Sequence, residues 1–427
     1  MTSHCHIIII NLVMTRLMMI LLALIAAAEA LDNGLVRTPP MGWMSWMYYT
    51  TDINEAIIKG VADELVAGGY REAGYTYVCI DDGWSTSRDA KTHELVADPK
   101  KFPSGMKSLA DYVHSKGLKI GMYADVGSLT CGGYSGLDMD VNLSSKQYVQ
   151  DVATFAKWGV DALKVDGCYE NPEVMNITYP ALSDAINASG HAMWLSCSWP
   201  CYVGGCQGGP DKVAPAVWSS VLEKCNTARD MNDIYDNIDS LYSIIGAYTK
   251  PVAITAHNKI NGPGYFADAD MLTAGAGGLS TVEETMQMVM WALFNSPLVM
   301  SNDLPKIDAA SKKLLLNTEI IAINQDVSHP NTFNVTDAKT YCKNLAHGVI
   351  ALAGLHQTSL GPPTNITLSP APRAKSSRLS NCLLPTHEAK KWKFRDVING
   401  VDLPTGAEVN CLAAQPGACL ITATPVK

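Results

Sequence analysis

The sequence is poor in charge. Of its 427 residues, 17% are Asp, Glu, Lys or Arg, against about 25% in an average soluble protein. With 47% hydrophobic residues the chain has ample material for a large core, which argues against disorder. Basic clusters are also missing: 32 Lys and Arg face 41 Asp and Glu, a net charge of −9. Binding to phosphate backbones needs clustered cations, so the composition argues against a nucleic-acid partner. There is no Walker motif, no glycine-rich nucleotide loop at Met41–Trp46 and no Gly-x-Ser-x-Gly elbow. Nucleotide binding and serine-hydrolase chemistry thus lack their signatures. Beyond residue 30, no stretch is long and apolar enough to span a membrane.

The first thirty residues read differently from the rest. Leu17–Ile25 is wholly apolar, follows Arg16 and runs into Ala26–Ala30, ending Ala28-Glu29-Ala30. A positive flank, a short apolar core and small residues at the end predict a signal peptide cleaved after Ala30. A membrane anchor would need about 20 apolar residues. Entry into the secretory pathway changes the meaning of the twelve cysteines. Cys5 leaves with the signal, and the odd remainder implies an unpaired thiol, for which Cys79 in an apolar run is the candidate. Cys201 and Cys206 are a candidate disulfide. A zinc site is the competing reading, but it lacks a second closely spaced pair. Sequons at Asn142, Asn176, Asn187, Asn334 and Asn365 agree with secretion and glycosylation.

From Leu31 to about Asp326, short apolar runs alternate with amphipathic stretches. Strands are predicted at Tyr75–Asp81, Leu118–Asp125, Ala162–Asp166, Met193–Ser198, Pro251–Thr255 and Pro297–Ser301. Helical faces are predicted at Ile57/Ile58/Val61/Leu65/Val66, Met106/Leu109/Tyr112/Val113 and Tyr148/Val149/Val152/Phe155. This rhythm and length fit a (β/α)8 barrel. After His329-Pro330 the texture turns to short β-like runs at Val349–Leu355, Ile366–Ser369, Trp392–Val397 and Ala418–Thr424. The fold class is therefore α/β: a signal peptide over 1–30, a barrel over 31–328 and an antiparallel β-sandwich domain over 329–427.

Reactive groups in such a barrel sit at the carboxyl ends of strands. The predicted ends carry Asp81-Asp82, Tyr123 and Asp125, and Lys164 and Asp166; further along the chain come Arg229, Asp230 and Asp233, then Asp268 and Asp270. Each Asp alone is ordinary capping or turn chemistry. Many carboxylates at one rim, with a Lys, an Arg and aromatics, equip a site for sugars: carboxylates hold hydroxyls, rings stack on a pyranose and two acids run glycoside hydrolysis. No His lies close in sequence to these carboxylates, so no metal is assigned.

At these residues the sequence resembles glycoside hydrolase family 27, the family of animal lysosomal α-galactosidase and α-N-acetylgalactosaminidase. The resemblance rests on Leu31-Asp-Asn-Gly-Leu-Val-Arg-Thr-Pro-Pro-Met-Gly-Trp43, Cys79-Ile-Asp-Asp82, Gly121-Met-Tyr-Ala-Asp-Val-Gly127, Leu163-Lys-Val-Asp-Gly-Cys168, Ser196-Cys-Ser-Trp-Pro200 and Ala322-Ile-Asn-Gln-Asp326. It implies a retaining exo-glycosidase with Asp166 as nucleophile and Asp233 as acid/base. Trp46, Asp81, Asp82, Tyr123, Lys164, Cys168, Tyr202, Arg229 and Asp270 match sugar-contacting positions. It also implies Cys131–Cys168 and Cys197–Cys225 disulfides, no cofactor, a small-molecule or glycoconjugate substrate, a homodimer, and a lysosomal or secreted location. Ser198 and Cys201 stand where strict α-galactosidases of the animal family place Glu and Leu and the galactosaminidases Ser and Ala. The resemblance thus points to acceptance of α-N-acetylgalactosaminides together with α-galactosides; a strict α-galactosidase is the alternative. A catalytically silent lectin would have lost one of the two acids. A sugar-phosphate enzyme would need a phosphate loop, and Gly275–Gly278 lies beside Asp268 and Asp270.

On this account Asp233 begins protonated, with a raised pKa, and Lys164 holds the charge of Asp166 from the same strand face. Two departures stand out. The family's Trp-Asn-Asp-Pro-Asp-Met-Leu is Phe266-Ala-Asp-Ala-Asp-Met-Leu272 here. A first-loop disulfide is lost at both ends, with Gly83 at one position and no Cys in Met47–Glu55.

Overall fold

The computed structural model describes residues 31, 33–337, 339–357, 364–370, 389–413 and 417–426. The signal peptide expected over 1–30 lies outside the described residues, as does Cys382. Among the described residues no helix is long and apolar enough to cross a membrane.

Eight parallel strands form one sheet: β1 (Met41–Met44), β2 (Tyr77–Ile80), β3 (Lys119–Asp125), β4 (Ala162–Asp166), β5 (Trp194–Cys197), β6 (Thr227–Arg229), β7 (Phe266–Asp268) and β8 (Leu298–Met300). The order is β8-β1-β2-β3-β4-β5-β6-β7. A parallel bridge from Leu272 to Met300 joins the two ends. There the Leu272 N–H donates to the Val299 carbonyl at 2.7 Å and the Ser301 N–H to the Leu272 carbonyl at 2.9 Å. The result is the predicted barrel. Its strands are buried on both faces, which is why they read as apolar runs rather than alternations.

The helices follow the predicted faces. Asn54 caps α1 (Glu55–Ala67) by accepting the Ile57 N–H at 3.0 Å, and α1 buries Ile58, Val61, Ala62 and Leu65. Helix α2 (Met106–Ser115) buries Met106, Leu109 and Val113. Helix α3 (Gln147–Trp158) buries Tyr148, Val152 and Phe155. Val149 is exposed, contrary to expectation, because it lies about 100° around the helix from Tyr148. The strand expected at Pro251–Thr255 is instead the start of helix α4 (Pro251–Ile260). Pro251 occupies its first turn, where its missing N–H costs nothing, and Ala253, Ile254 and His257 are its buried side.

The C-terminal part is antiparallel. Its strands are β9 (Asn334–Asp337), β10 (Thr340–Asn344), β11 (Ile350–His356), β12 (Thr364–Leu368), β13 (Trp392–Asp396), β14 (Val401–Gly406), β15 (Val409–Ala413) and β16 (Gly417–Pro425). Six form a sheet in the order β9-β10-β11-β16-β13-β14, and β12 pairs with β15. Along β11 the side chains alternate. Ala351, Ala353 and Leu355 join the barrel core, while Ile350 and Leu352 join a second core with Ile366, Trp392, Phe394 and Ile421. Helix α5 (Thr281–Phe294) packs against β16. Arg395 pairs with Glu319 of α6 (Thr318–Gln325) through two hydrogen bonds of 2.7 Å.

Cys131–Cys168, Cys197–Cys225, Cys201–Cys206 and Cys411–Cys419 are bonded, and Cys342 is also in a disulfide. Cys201–Cys206 is thus a disulfide and not a zinc pair. Cys79 is a buried free thiol, pushed up to about 12 by burial. Asn142, Asn176, Asn187 and Asn365 are exposed and Asn334 is half-buried.

Candidate active site

The carboxyl ends of the barrel strands open into a cavity of about 500 Å³. Every residue assigned above to sugar contact or chemistry lines it: Trp46, Asp81, Asp82, Tyr123, Lys164, Asp166, Cys168, Ser198, Cys201, Tyr202, Arg229, Asp233 and Asp270.

The floor is acidic and buried. Asp81 follows β2 and is buried; its N–H donates to Ser45 Oγ at 2.9 Å and its Oδ1 accepts the Asp82 N–H at 2.8 Å. Asp82 is buried beside it and accepts the N–H groups of Gly83 and Gly132, each at 2.7 Å. Burial holds both carboxyls above their ordinary range. Lys164 reaches from β4 to Asp81 Oδ2 at 2.7 Å and lies 5.3 Å from the centre of the Tyr123 ring. Burial opposes its charge, but Asp81, Asp166 and Asp270 outweigh it, so the ammonium is held protonated. Its direct partner is therefore Asp81. Toward Asp166, the partner expected from the shared strand face, it acts through space.

Asp166 ends β4. The Ser198 hydroxyl donates to its Oδ1, and its Oδ2 lies 3.7 Å from Cys131 Sγ. The Cys131–Cys168 bond, with Cα atoms 5.2 Å apart, forms a wall of the cavity, and the Tyr202 hydroxyl rests on both sulfurs at 3.4 and 3.1 Å. Asp125 pairs in register with Asp166 across β3 and β4. It is fully buried and accepts the N–H groups of Gly127 at 2.8 Å and Cys168 at 2.9 Å. Burial, then the charge of Asp166, pushes Asp125 up to about 8, so it carries a proton at acidic pH.

Asp233 stands at the mouth, its side chain 68% exposed. Arg229, at the end of β6, donates from Nη2 to Asp233 Oδ1 at 2.8 Å, and its Nη1 lies 3.0 Å from Asp270 Oδ2. Two effects oppose at Asp233: partial desolvation by the cavity wall raises its pKa, and the guanidinium lowers it by more. The carboxyl is thus held below the ordinary range, which overturns the expectation of a raised value in the unliganded protein. Asp270 has φ +79, a left-handed backbone that is rare outside glycine. It is held there because its side chain accepts the Met271 and Ile234 N–H groups at 2.8 and 2.9 Å and its carbonyl accepts the Trp291 indole at 2.7 Å. Asp268 is pushed up to about 6 by burial, then by Asp270.

The lost first-loop disulfide has a physical replacement. Gly83 has φ +87, and a Cβ there would lie 2.8 Å from that of Thr51. Across this contact the Lys101 ammonium donates to the carbonyls of Thr51 at 2.7 Å and Gly83 at 2.8 Å. The tie is a pair of charge-assisted hydrogen bonds at the place where the resemblance implies a disulfide.

Sequence reasoning gave no site role to Pro172, Asn232, Ile234 and Met271, which also line the cavity. Three of them adjoin Asp233 or Asp270, and that adjacency was the available signal. Cys131 and Cys206, named only as disulfide partners, are lining residues as well.

A barrel whose strand ends converge on a cavity with a buried acidic floor, one open mouth and carboxylates at both depths is built to take the end of a sugar chain, and it defines an exo-acting glycoside hydrolase. The chain belongs to the melibiase family, glycoside hydrolase family 27: the family profile described as Alpha galactosidase A matches residues 38–326. It is 43% identical over 317 residues to the α-N-acetylgalactosaminidase of Rattus norvegicus, covering 72% of this chain and 73% of the relative. It is 36% identical over 370 residues to human α-galactosidase A, covering 82% and 81%. Among solved structures, α-galactosidase I from Mortierella vinacea superposes with a TM-score of 0.76 at 27% identity, covering 92% of this chain and 98% of that one.

Proposed function

We propose that this glycosidase removes terminal α-linked N-acetylgalactosamine, and also α-linked galactose, from glycoconjugates by double displacement, with Asp166 as nucleophile and Asp233 as acid/base. Asp166 attacks the anomeric carbon as the bond to the aglycone oxygen breaks, and that oxygen takes the proton of Asp233. The glycosyl ester on Asp166 is then opened by water, whose proton goes to Asp233, so both carboxyls return to their starting state. Asp81 and Asp82 bind ring hydroxyls, with Lys164 neutralising the floor. Trp46 and Tyr123 supply ring faces. Arg229 and Asp270 complete the polar wall, and Cys168 and Tyr202 the apolar one.

The observation that carries this reading is the position of Ser198. Its hydroxyl sits on Asp166 in the same cavity that holds Asp233. A group there meets the substituent on the sugar carbon next to the one attacked, where a serine accommodates an acetamide. A strict α-galactosidase is the second reading, supported by the sulfur of Cys201, which fills space that a smaller residue would leave open. Assay of the purified protein on paired chromogenic α-N-acetylgalactosaminide and α-galactoside tests both readings. Turnover of both supports the first, and turnover of the galactoside alone the second.

The organisation that goes with this function is a cleaved leader over 1–30, a catalytic barrel over 31–328 and a β domain over 329–427. The mature enzyme works as a homodimer in the lysosome or outside the cell. Four described disulfides support the secretory route.

A further inference from the structure

The cavity is graded from floor to mouth: Asp81, Asp82 and Tyr123 are 1–2% exposed, whereas the side chain of Asp233 is 68% exposed. A terminal sugar that fills the floor therefore presents its glycosidic oxygen at Asp233, and the rest of the substrate leaves past that residue. Two large exposed aromatic residues lie within two positions of residues that line this cavity. Tyr235, two residues beyond Asp233, is 61% exposed, and Tyr169, next to the cavity-lining Cys168, is 65% exposed. Among the described residues neither side chain makes a hydrogen bond or a ring contact.

Their backbones, by contrast, are fixed. The Tyr235 N–H donates to Ser240 Oγ at 2.9 Å and its carbonyl accepts the Asn237 N–H at 2.7 Å, while the preceding Ile234 N–H is held by Asp270. Tyr169 has φ +57, a costly conformation for a bulky residue, beside a cysteine tied to Cys131. Because β5 lies between β4 and β6, the loops carrying Tyr169 and Tyr235 flank the Ser198–Cys206 loop. Rigid, exposed, unpartnered aromatics at a cavity mouth mark a binding surface.

We infer that Tyr169 and Tyr235 form an aglycone platform that takes a second pyranose ring, so that the preferred substrate ends in a disaccharide. This rests on the glycosidase reading above and deepens it. A pyranose is the occupant of choice because its C–H faces match flat aromatic rings, whereas the net charge of −9 gives no complement to an anionic aglycone.

The test compares kcat/KM of the full-length protein on an α-galactosyl disaccharide with that on methyl α-galactoside, whose aglycone has no ring. In Tyr235→Ala and Tyr169→Ala the ratio of disaccharide to methyl glycoside should fall about tenfold, the size of a lost aromatic contact. Tyr235→Phe, which keeps the ring, should restore it. Equal losses on both substrates, or a selective loss on a galactosyl-serine peptide instead of the disaccharide, would overturn the platform with the enzyme reading intact. A wild-type protein that turns over neither these substrates nor their α-N-acetylgalactosaminyl counterparts would overturn both.

Discussion

The guanidinium of Arg229 lies 2.8 Å from Asp233 and 3.0 Å from Asp270, so one cation joins the acid at the mouth to a strained acid on the wall. At rest this pairing keeps Asp233 ionised, yet protonating a leaving group requires Asp233 to carry a proton. The acid/base role proposed for Asp233 therefore requires that bound substrate loosen its pairing with Arg229.

Asp233→Asn leaves the pocket its shape but removes the transferable proton. kcat/KM on alkyl glycosides should fall about 10²–10⁴-fold. Glycosides with strongly activated phenol leaving groups, which need no proton, should lose far less. Equal losses across leaving groups would place the acid elsewhere.

Asp125 gives the enzyme an acid preference in stability. Its carboxyl binds a proton up to about pH 8 in the folded protein, whereas an unfolded Asp does so only below about 4. Between these values the folded state holds more protons than the unfolded state, so stability must fall as pH rises. Asp268, pushed up to about 6, acts in the same direction. Thermal denaturation should give a higher Tm at pH 5 than at pH 7.5, and Asp125→Asn should flatten this slope.

Lys101 should carry stability that the family draws from a disulfide. Lys101→Met leaves the carbonyls of Thr51 and Gly83 without their donor, and should cost about 1–3 kcal/mol, read as a lower midpoint in urea unfolding. Activity at low temperature should persist, because Lys101 does not line the cavity.

Ser198→Glu should selectively suppress turnover of α-N-acetylgalactosaminides, since the longer side chain enters the acetamide volume. A clash of about 2–3 kcal/mol corresponds to roughly 30- to 150-fold in relative kcat/KM. Adding Cys201→Leu would also break the Cys201–Cys206 bond, so Cys206→Ser alone is the matched control. Unchanged discrimination in the folded double variant would put selectivity in the Phe266–Asp270 loop.

Much of this site was legible in sequence because the chemistry sits at strand ends. Lys119–Asp125 and Ala162–Asp166 are apolar runs that stop on an Asp, and each stop is a cavity residue or its neighbour. Thr227–Arg229 and Phe266–Asp268 are only three residues long and carry no periodicity, so their strands escaped detection. Pro251–Thr255 misled because an apolar run after proline fits a buried strand as well as a first helical turn. The low pKa of Asp233 was out of reach as well. Sequence placed Arg229 four residues away, but the sign of the shift depends on where the guanidinium points.

The most direct test is to trap the glycosyl-enzyme. A ring-fluorinated α-galactosyl fluoride slows both steps and lets the ester accumulate, and peptide mass spectrometry then locates it. The account predicts a single added sugar on the peptide containing Asp166, absent in Asp166→Asn. A label on another carboxylate, or release of the inverted sugar with no label, would contradict it.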